Sequence, residues 1–163
     1  MLAKLAESHI EIKISEIKAL DAEISFAKSE KNDAKRAELE GRRKFAESEK
    51  QLLERRHDLR RREIETARAV RAYHEATEKS CRLELDLAVN RRERASITST
   101  VDPGAAAEFN RLQAEITKLE GRVLEAQIDQ ANRRKELADQ EVQLGKVRRA
   151  VYESQLKVAQ GRR

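Results

Sequence analysis

Apolar residues recur at every seventh position through the second half of the chain, with one glutamine among them. The row consists of Phe109, Ile116, Val123, Gln130, Leu137, Leu144, Val151 and Val158. A row of the same spacing in the first half consists of Phe45, Leu52, Leu59, Thr66, Tyr73, Ser80 and Leu87, flanked by Ala69, Ala76, Leu83 and Ile97. A seven-residue period places side chains on one stripe of a helix that winds around a partner helix. The pattern therefore predicts two long amphipathic helices.

A short segment that contains the only proline separates the two helical patterns. Asp102 can cap the second helix, and Pro103 suits its first turn because the missing N–H is not needed there. We therefore predict an all-α fold, a single antiparallel two-helix coiled-coil hairpin over residues 1–163. Its first arm would span 33–97, its turn 98–103 and its second arm 104–160. Folding back would pair Phe109 with Ile97, Val123 with Leu83, Leu137 with Ala69 and Val151 with Arg55.

Residues 1–31 form a third amphipathic segment, which lacks a partner in the predicted hairpin. Its apolar face contains Ile10, Ile14, Ile17 and Ile24. The weak helix formers that follow predict a break, with Asn32 or Asp33 as the cap of the next helix. The segment would extend the first arm, fold back as a third helix or wait for another protein. An exposed apolar face is costly in water, so these isoleucines are the first candidate partner-binding residues.

An arginine cluster supplies the second candidate binding surface, formed by Arg55, Arg56, Arg60, Arg61 and Arg62. Neighbouring arginines repel each other unless acids meet them, and the hairpin register offers Glu153 from the second arm. We interpret the cluster as a solvated or salt-bridged face, with an acidic protein as the alternative ligand. It lacks interleaved aromatic residues for base stacking, so we do not expect nucleic acid as a partner.

Polar residues interrupt the apolar rows of the second arm at Gln130, Arg133 and Gln140. A buried polar residue costs stability but excludes alternative helix alignments, so register control is the favoured interpretation. The alternative is that these residues loosen the middle of the hairpin and allow it to bend.

Composition argues against a compact globular domain and against enzymatic chemistry. Charged residues make up 40% of the chain and aromatic residues 3%, which suits long helices. His9, His57 and His74 lack metal-binding spacing, and the scattered glycines form no phosphate loop. We therefore expect no enzymatic activity, cofactor or metal. Cys81 falls on an apolar stripe with Leu53, Ala67 and Ala88 and is expected to be a small buried hydrophobic residue. A single cysteine cannot form an internal disulfide, which suits a reducing compartment.

No apolar run approaches the ~20 residues that span a bilayer, and the first residues lack the pattern of a secretory signal. These observations predict a cytoplasmic protein. The net charge of +5 permits an anionic partner without requiring one.

Three features together are typical of a known family: the apolar heptads at Ile10, Ile17 and Ile24, the arginine-rich helix through Arg71, and the last helix with its Val158–Arg163 end. In these features the chain resembles the FliJ/YscO family of type III secretion and flagellar export. The resemblance implies a coiled-coil stalk that inserts into the central hole of a hexameric export ATPase and contacts export-gate and chaperone proteins. The inserted end would then comprise residues 10–24 and 147–158, with the arginine cluster as an electrostatic contact.

Two other functions are consistent with the sequence. A structural or scaffolding component, for example of a viral assembly, would self-associate through its N-terminal helix. A membrane-surface protein would lay residues 2–27 on lipid, but the acidic residues of this segment match anionic headgroups poorly. These residues are Glu7, Glu11, Glu16, Asp21 and Glu23.

Overall fold

A computed structural model describes residues 2–97 and 102–161, with side chains from residue 7 onward. It contains helix α1 (Leu2–Ser29), helix α2 (Asp33–Ser96) and helix α3 (Pro103–Gly161). The prediction of an all-α fold is confirmed. The helix bounds agree with the expected segments to within about two residues, the usual uncertainty of a helix end. Over the described residues, none of the helices is both long and apolar enough to cross a membrane.

The connection between α1 and α2 is a tight cap built around Lys31. Its φ of 55° lies in the left-handed region, where lysine is strained and glycine is not. The N–H of Asn32 donates to the carbonyl of Ala27 at 3.0 Å, and the N–H of Lys31 donates to that of Lys28 at 3.2 Å. This pair of bonds is the Schellman motif, which ends a helix by satisfying its last carbonyl groups.

Asn32 also begins the next helix, as the sequence predicted for Asn32 or Asp33. Its Oδ1 accepts a hydrogen bond from the N–H of Lys35 at 3.1 Å, and its carbonyl accepts one from Arg36 at 3.1 Å. One asparagine therefore completes the cap of α1 and serves as the N-cap of α2.

The start of α3 agrees with the predicted cap. The Asp102 carboxylate accepts a hydrogen bond from the N–H of Ala105 at 3.1 Å, and its carbonyl accepts one from Ala106 at 2.9 Å. Pro103 occupies the first helical position, where its missing N–H leaves no bond unmade. Most of the predicted turn, residues 98–101, lies outside the described residues.

Contacts divide the chain into two compact units. Unit 1 contains the residues up to Glu65 together with those from Glu141, and unit 2 contains residues 66–140.

In unit 1, helix α1 folds back on the beginning of α2. Leu20 and Ala27 of α1 form a buried cluster with Leu39 and Ala46 of α2. Two ion pairs join the same segments in antiparallel order: Lys13 with Glu49 at 2.7 Å and Arg43 with Asp21 at 2.5 Å. Of the three arrangements that the sequence left open for the N-terminal segment, the structure contains the folded-back helix.

The end of α3 packs against α2 in the same unit. Leu52 of α2 is buried with Val151 and Val158 of α3, and Phe45 and Leu59 pack against them. The Arg55 guanidinium donates a hydrogen bond to the Ala150 carbonyl at 2.7 Å, which agrees with the expected proximity of Arg55 and Val151. Unit 1 is therefore built from segments of all three helices.

Unit 2 joins the end of α2 to the first part of α3. Leu83 and Leu87 form its apolar cluster with Ile116, Leu119, Val123 and Ala126. The cross-helix polar pairs are Arg94–Gln113, Arg91–Glu120, Glu84–Gln127 and Thr77–Gln130. In these pairs the residue number in α2 falls as the residue number in α3 rises, so the two segments are antiparallel. Leu83 and Val123, expected to pair, share this cluster.

The members of the two rows of seven are buried or half-buried, whereas two other predictions fail. Cys81 is exposed, so its interpretation as a buried residue is wrong. The neighbouring Ser80 is the buried residue, with an exposed fraction of 2%. Arg133 is also exposed and pairs with Asp129 and Glu136 of its own helix, so its guanidinium does not interrupt the apolar seam. The ring centroid of Phe109, which was expected beside Ile97, lies 5.9 Å from the guanidinium carbon of Arg94.

Candidate protein-interaction surfaces

The apolar face of α1, predicted to bind a partner, is largely used inside unit 1. Ile17 and Ile24 pack against the buried cluster, while Ile10 and Ile14 are half-buried. Because α1 folds back, the cluster with α2 supplies apolar contacts to Ile17 and Ile24. The assignment of the four isoleucines to partner binding stays a prediction.

The arginine cluster divides into paired and open members. Arg55 bonds to the Ala150 carbonyl, whereas Arg61 and Arg62 pair with Glu65 of the same helix at 3.2 and 2.8 Å. Arg56 and Arg60 are exposed and form no ion pair with any described residue.

The acid expected to meet the arginine cluster was misplaced. Glu153 is exposed and forms no ion pair within residues 2–97 and 102–161. In unit 1, the α2 acid that pairs with an arginine of α3 is Glu63, which lies 3.7 Å from Arg148. Within the arginine cluster, the open positive charge therefore lies at Arg56 and Arg60.

A second stripe runs along α1 on the side opposite its buried face. It comprises Ile12, Ala19 and Phe26, spaced by seven, with Ser15, Ala22 and Ser29 between or beyond them, and we call it the outer stripe. All six residues are exposed, and the exposed fractions of Ile12 and Phe26 are 61% and 59%. The outer stripe was not predicted from the sequence, although the seven-residue spacing of Ile12, Ala19 and Phe26 indicates a helical face.

A shallow groove lies in unit 1 where the three helices meet. Its walls are formed by Lys13, Glu49, Leu52, Leu53, Arg56, Gln155, Val158 and Ala159. Hydrogen bonds from the Lys13 ammonium to Glu16 and then to Glu49 raise the pKa of Lys13 above its ordinary value. The amine therefore stays protonated at neutral pH and is unsuited to act as a base or nucleophile.

The seam contains a polar pair at one of the predicted interruptions. Gln130 Nε2 donates to Thr77 Oγ1 at 3.1 Å, and the Thr77 hydroxyl donates to the Tyr73 carbonyl at 2.9 Å. The half-buried Gln140 differs, because its Oε1 is inaccessible and has no hydrogen-bond partner among the described residues. A matched polar pair inside an apolar seam favours one helix alignment over its neighbours, as register control requires.

The described residues contain no group of three or more metal-binding side chains close enough to hold an ion. His9 and His74 are exposed and His57 is half-buried. The arrangement presents helical faces with charged and apolar patches. Comparison with known proteins finds no matching family model, no matching curated protein and no matching solved structure.

Proposed function

We propose that this chain is a non-enzymatic coiled-coil stalk or adaptor that binds other proteins. The observation that carries the proposal is the division of each helix into a buried seam and exposed patches. The exposed patches are Arg56, Arg60 and the outer stripe of α1, while the buried rows of the helices pack against each other. Exposed apolar residues in rows and unpaired charges are features of protein-binding surfaces.

In its specific form, the proposal makes the chain the central stalk of a type III export ATPase. The two segments assigned to the inserted end belong to the same compact unit, because Leu20 of α1 and Val151 of α3 both pack on α2. Arg56 and Arg60 would provide the electrostatic contact. Export-gate and chaperone proteins would be further partners.

The test measures binding to the hexameric export ATPase from the same source and the effect on its ATP hydrolysis. We expect the chain to co-elute with the ATPase and to change its turnover. Arg56→Glu/Arg60→Glu should reduce binding at least tenfold, because two attractive contacts become repulsive. The matched control is Lys118→Glu/Arg122→Glu, which makes the same charge change at exposed residues of unit 2. Absence of co-elution, or equal effects of both variants, would contradict the proposal.

A scaffold that self-associates through its N-terminal helix is the second candidate. The observation in its favour is the exposure of Ile12 and Phe26 on the outer stripe. Light scattering at increasing concentration separates the candidates, because a stalk stays monomeric and a scaffold gains mass. Loss of that added mass in Ile12→Ser/Phe26→Ser would assign the contact to α1.

A further inference from the structure

The outer stripe of α1 is arranged like a coiled-coil seam that lacks its partner. Ile12, Ala19 and Phe26 repeat at seven, and Ser15 and Ala22 occupy the intervening positions of the same face. From Ile12 to Phe26 the stripe is about 21 Å long. Large residues at both ends and small residues between them allow a second helix to approach closely in the middle.

The two serines of this stripe, Ser15 and Ser29, can lie in a contact that excludes water. Ser15 Oγ donates to the Glu11 carbonyl at 3.0 Å, and Ser29 Oγ donates to the Phe26 carbonyl at 2.7 Å. A hydroxyl that already bonds to its own helix loses little when water is excluded. The stripe can therefore be covered by an apolar surface without leaving these two donors unsatisfied.

The edges of the outer stripe are mainly acidic. Glu16 and Glu23 follow Ile12 and Ala19 by four residues and border one edge, while Glu11 and Lys18 border the other. All four are exposed. Lys13 pairs with Glu16, but Glu11 and Glu23 have no ion-pair partner among the described residues. Acidic residues outnumber basic residues within α1, although the whole chain carries a net charge of +5.

We propose that the outer stripe binds an amphipathic helix of another protein whose apolar face is bordered by lysine or arginine. The apolar row fits the seam of that helix, and its basic edges meet Glu11, Glu16 and Glu23. A second copy of this chain fits less well, because antiparallel pairing about Ala19 brings Glu16 of one copy close to Glu23 of the other along the same edge. The inference rests on the proposed function, since it specifies the partner that an adaptor would recognise.

The experiment uses the full chain and two synthetic helical peptides of about three heptads. Both carry the same leucine and alanine seam, but one has lysine edges and the other glutamate edges. We expect fluorescence anisotropy to show at least tenfold tighter binding of the lysine-edged peptide. Ile12→Ser/Phe26→Ser should weaken that binding at least tenfold. Leu85→Ser/Ile128→Ser is the control, because its residues are 65% and 63% exposed in unit 2.

A charge-swapped variant tests the basic edges of the partner separately. Glu11→Lys/Glu23→Lys leaves the Lys13–Glu16 pair intact and should reverse the peptide preference toward glutamate edges. Circular dichroism should show unchanged helix content for every variant. The proposal is overturned if neither peptide binds, if the preference does not reverse, or if the control abolishes binding equally. Self-association that disappears in Ile12→Ser/Phe26→Ser would also overturn it, by identifying a second copy as the occupant. Failure here leaves the ATPase result with Arg56 and Arg60 unchanged, so the two proposals can fail separately.

Discussion

The apolar seam of unit 2 predicts that two substitutions in α3 change the free energy of unfolding by very different amounts. Ile116 is 2% exposed and packs in the cluster with Leu83, Leu87 and Val123, whereas Leu124 is 60% exposed. Ile116→Ala removes three buried carbon atoms, and about 0.8 kcal/mol per carbon gives a loss of about 2.4 kcal/mol. The better helix propensity of alanine returns a few tenths of a kcal/mol.

The cavity left by Ile116→Ala adds to this loss, but only partly. A seam between two helices is thin, so neighbouring side chains can move into part of the space. We therefore expect a total loss of about 2–3 kcal/mol in the free energy of unfolding, at the low end of the range for such substitutions. Leu124→Ala should stay within about 0.5 kcal/mol, because its side chain loses little buried area.

Urea denaturation followed by far-UV circular dichroism measures both variants. Hydrogen exchange at residues 112–123 should show that the weakened region is unit 2. If Ile116→Ala costs less than about 1 kcal/mol, or if Leu124→Ala costs as much, the assignment of the seam is refuted.

Three further predictions concern single residues. Lys31→Gly should raise the free energy of unfolding by about 0.5–1 kcal/mol, because glycine removes the strain at this positive φ. Lys31→Ala should leave the free energy of unfolding nearly unchanged, and equal effects of the two variants in thermal melts would contradict this account. Gln130→Leu should stabilise the seam by about 1 kcal/mol, because the Thr77 hydroxyl keeps its bond to a backbone carbonyl. If Gln130 controls the register, light scattering of this variant should also show added oligomeric species, whereas a less stable monomer would count against register control. The raised pKa of Lys13 means that its pairing with Glu16 and with Glu49 stabilises unit 1 below the ordinary lysine pKa, and this stabilisation is lost as the pH rises through the raised value. The stability difference from Lys13→Met should thus stay constant between about pH 7 and 10 and shrink above that range, whereas a difference that grows would refute the assignment.

Features that depend on neighbouring residues were predictable from the sequence. Helix formers and the seven-residue rows indicated the helices, and Asn32 and Asp102 marked helix starts because their side chains accept backbone N–H bonds. The partners of the charged side chains could not be predicted in the same way, because they lie far away in the sequence. The arginine cluster was visible, but nothing local to Arg55 indicates that its guanidinium would bond to the Ala150 carbonyl.

The prediction for Cys81 failed for a physical reason that lies in helix register. Hydrophobicity favours burying cysteine over the adjacent serine, and the two side chains point about 100° apart on a helix. Leu83 and Leu87 lie three and seven residues after Ser80, so once they enter the seam Ser80 enters with them. Packing of the larger leucines therefore decides the orientation of both residues.

The sequence by itself indicated that the chain forms helices and where they begin and end, because seven-residue rows and caps depend on residues within a few turns. It also indicated the buried rows of α2 and α3. Tertiary structure alone decided the course of α1. The residue that reverses the chain is Lys31, a type that rarely adopts positive φ and carries no turn signal of its own. Contacts of Leu20 and Ala27 with Leu39 and Ala46 support that strained turn, and the same contacts leave Ile12 and Phe26 on the outside. Which of two apolar stripes becomes the core depends on the partner helix that reaches it, and that choice is made only when the chain folds.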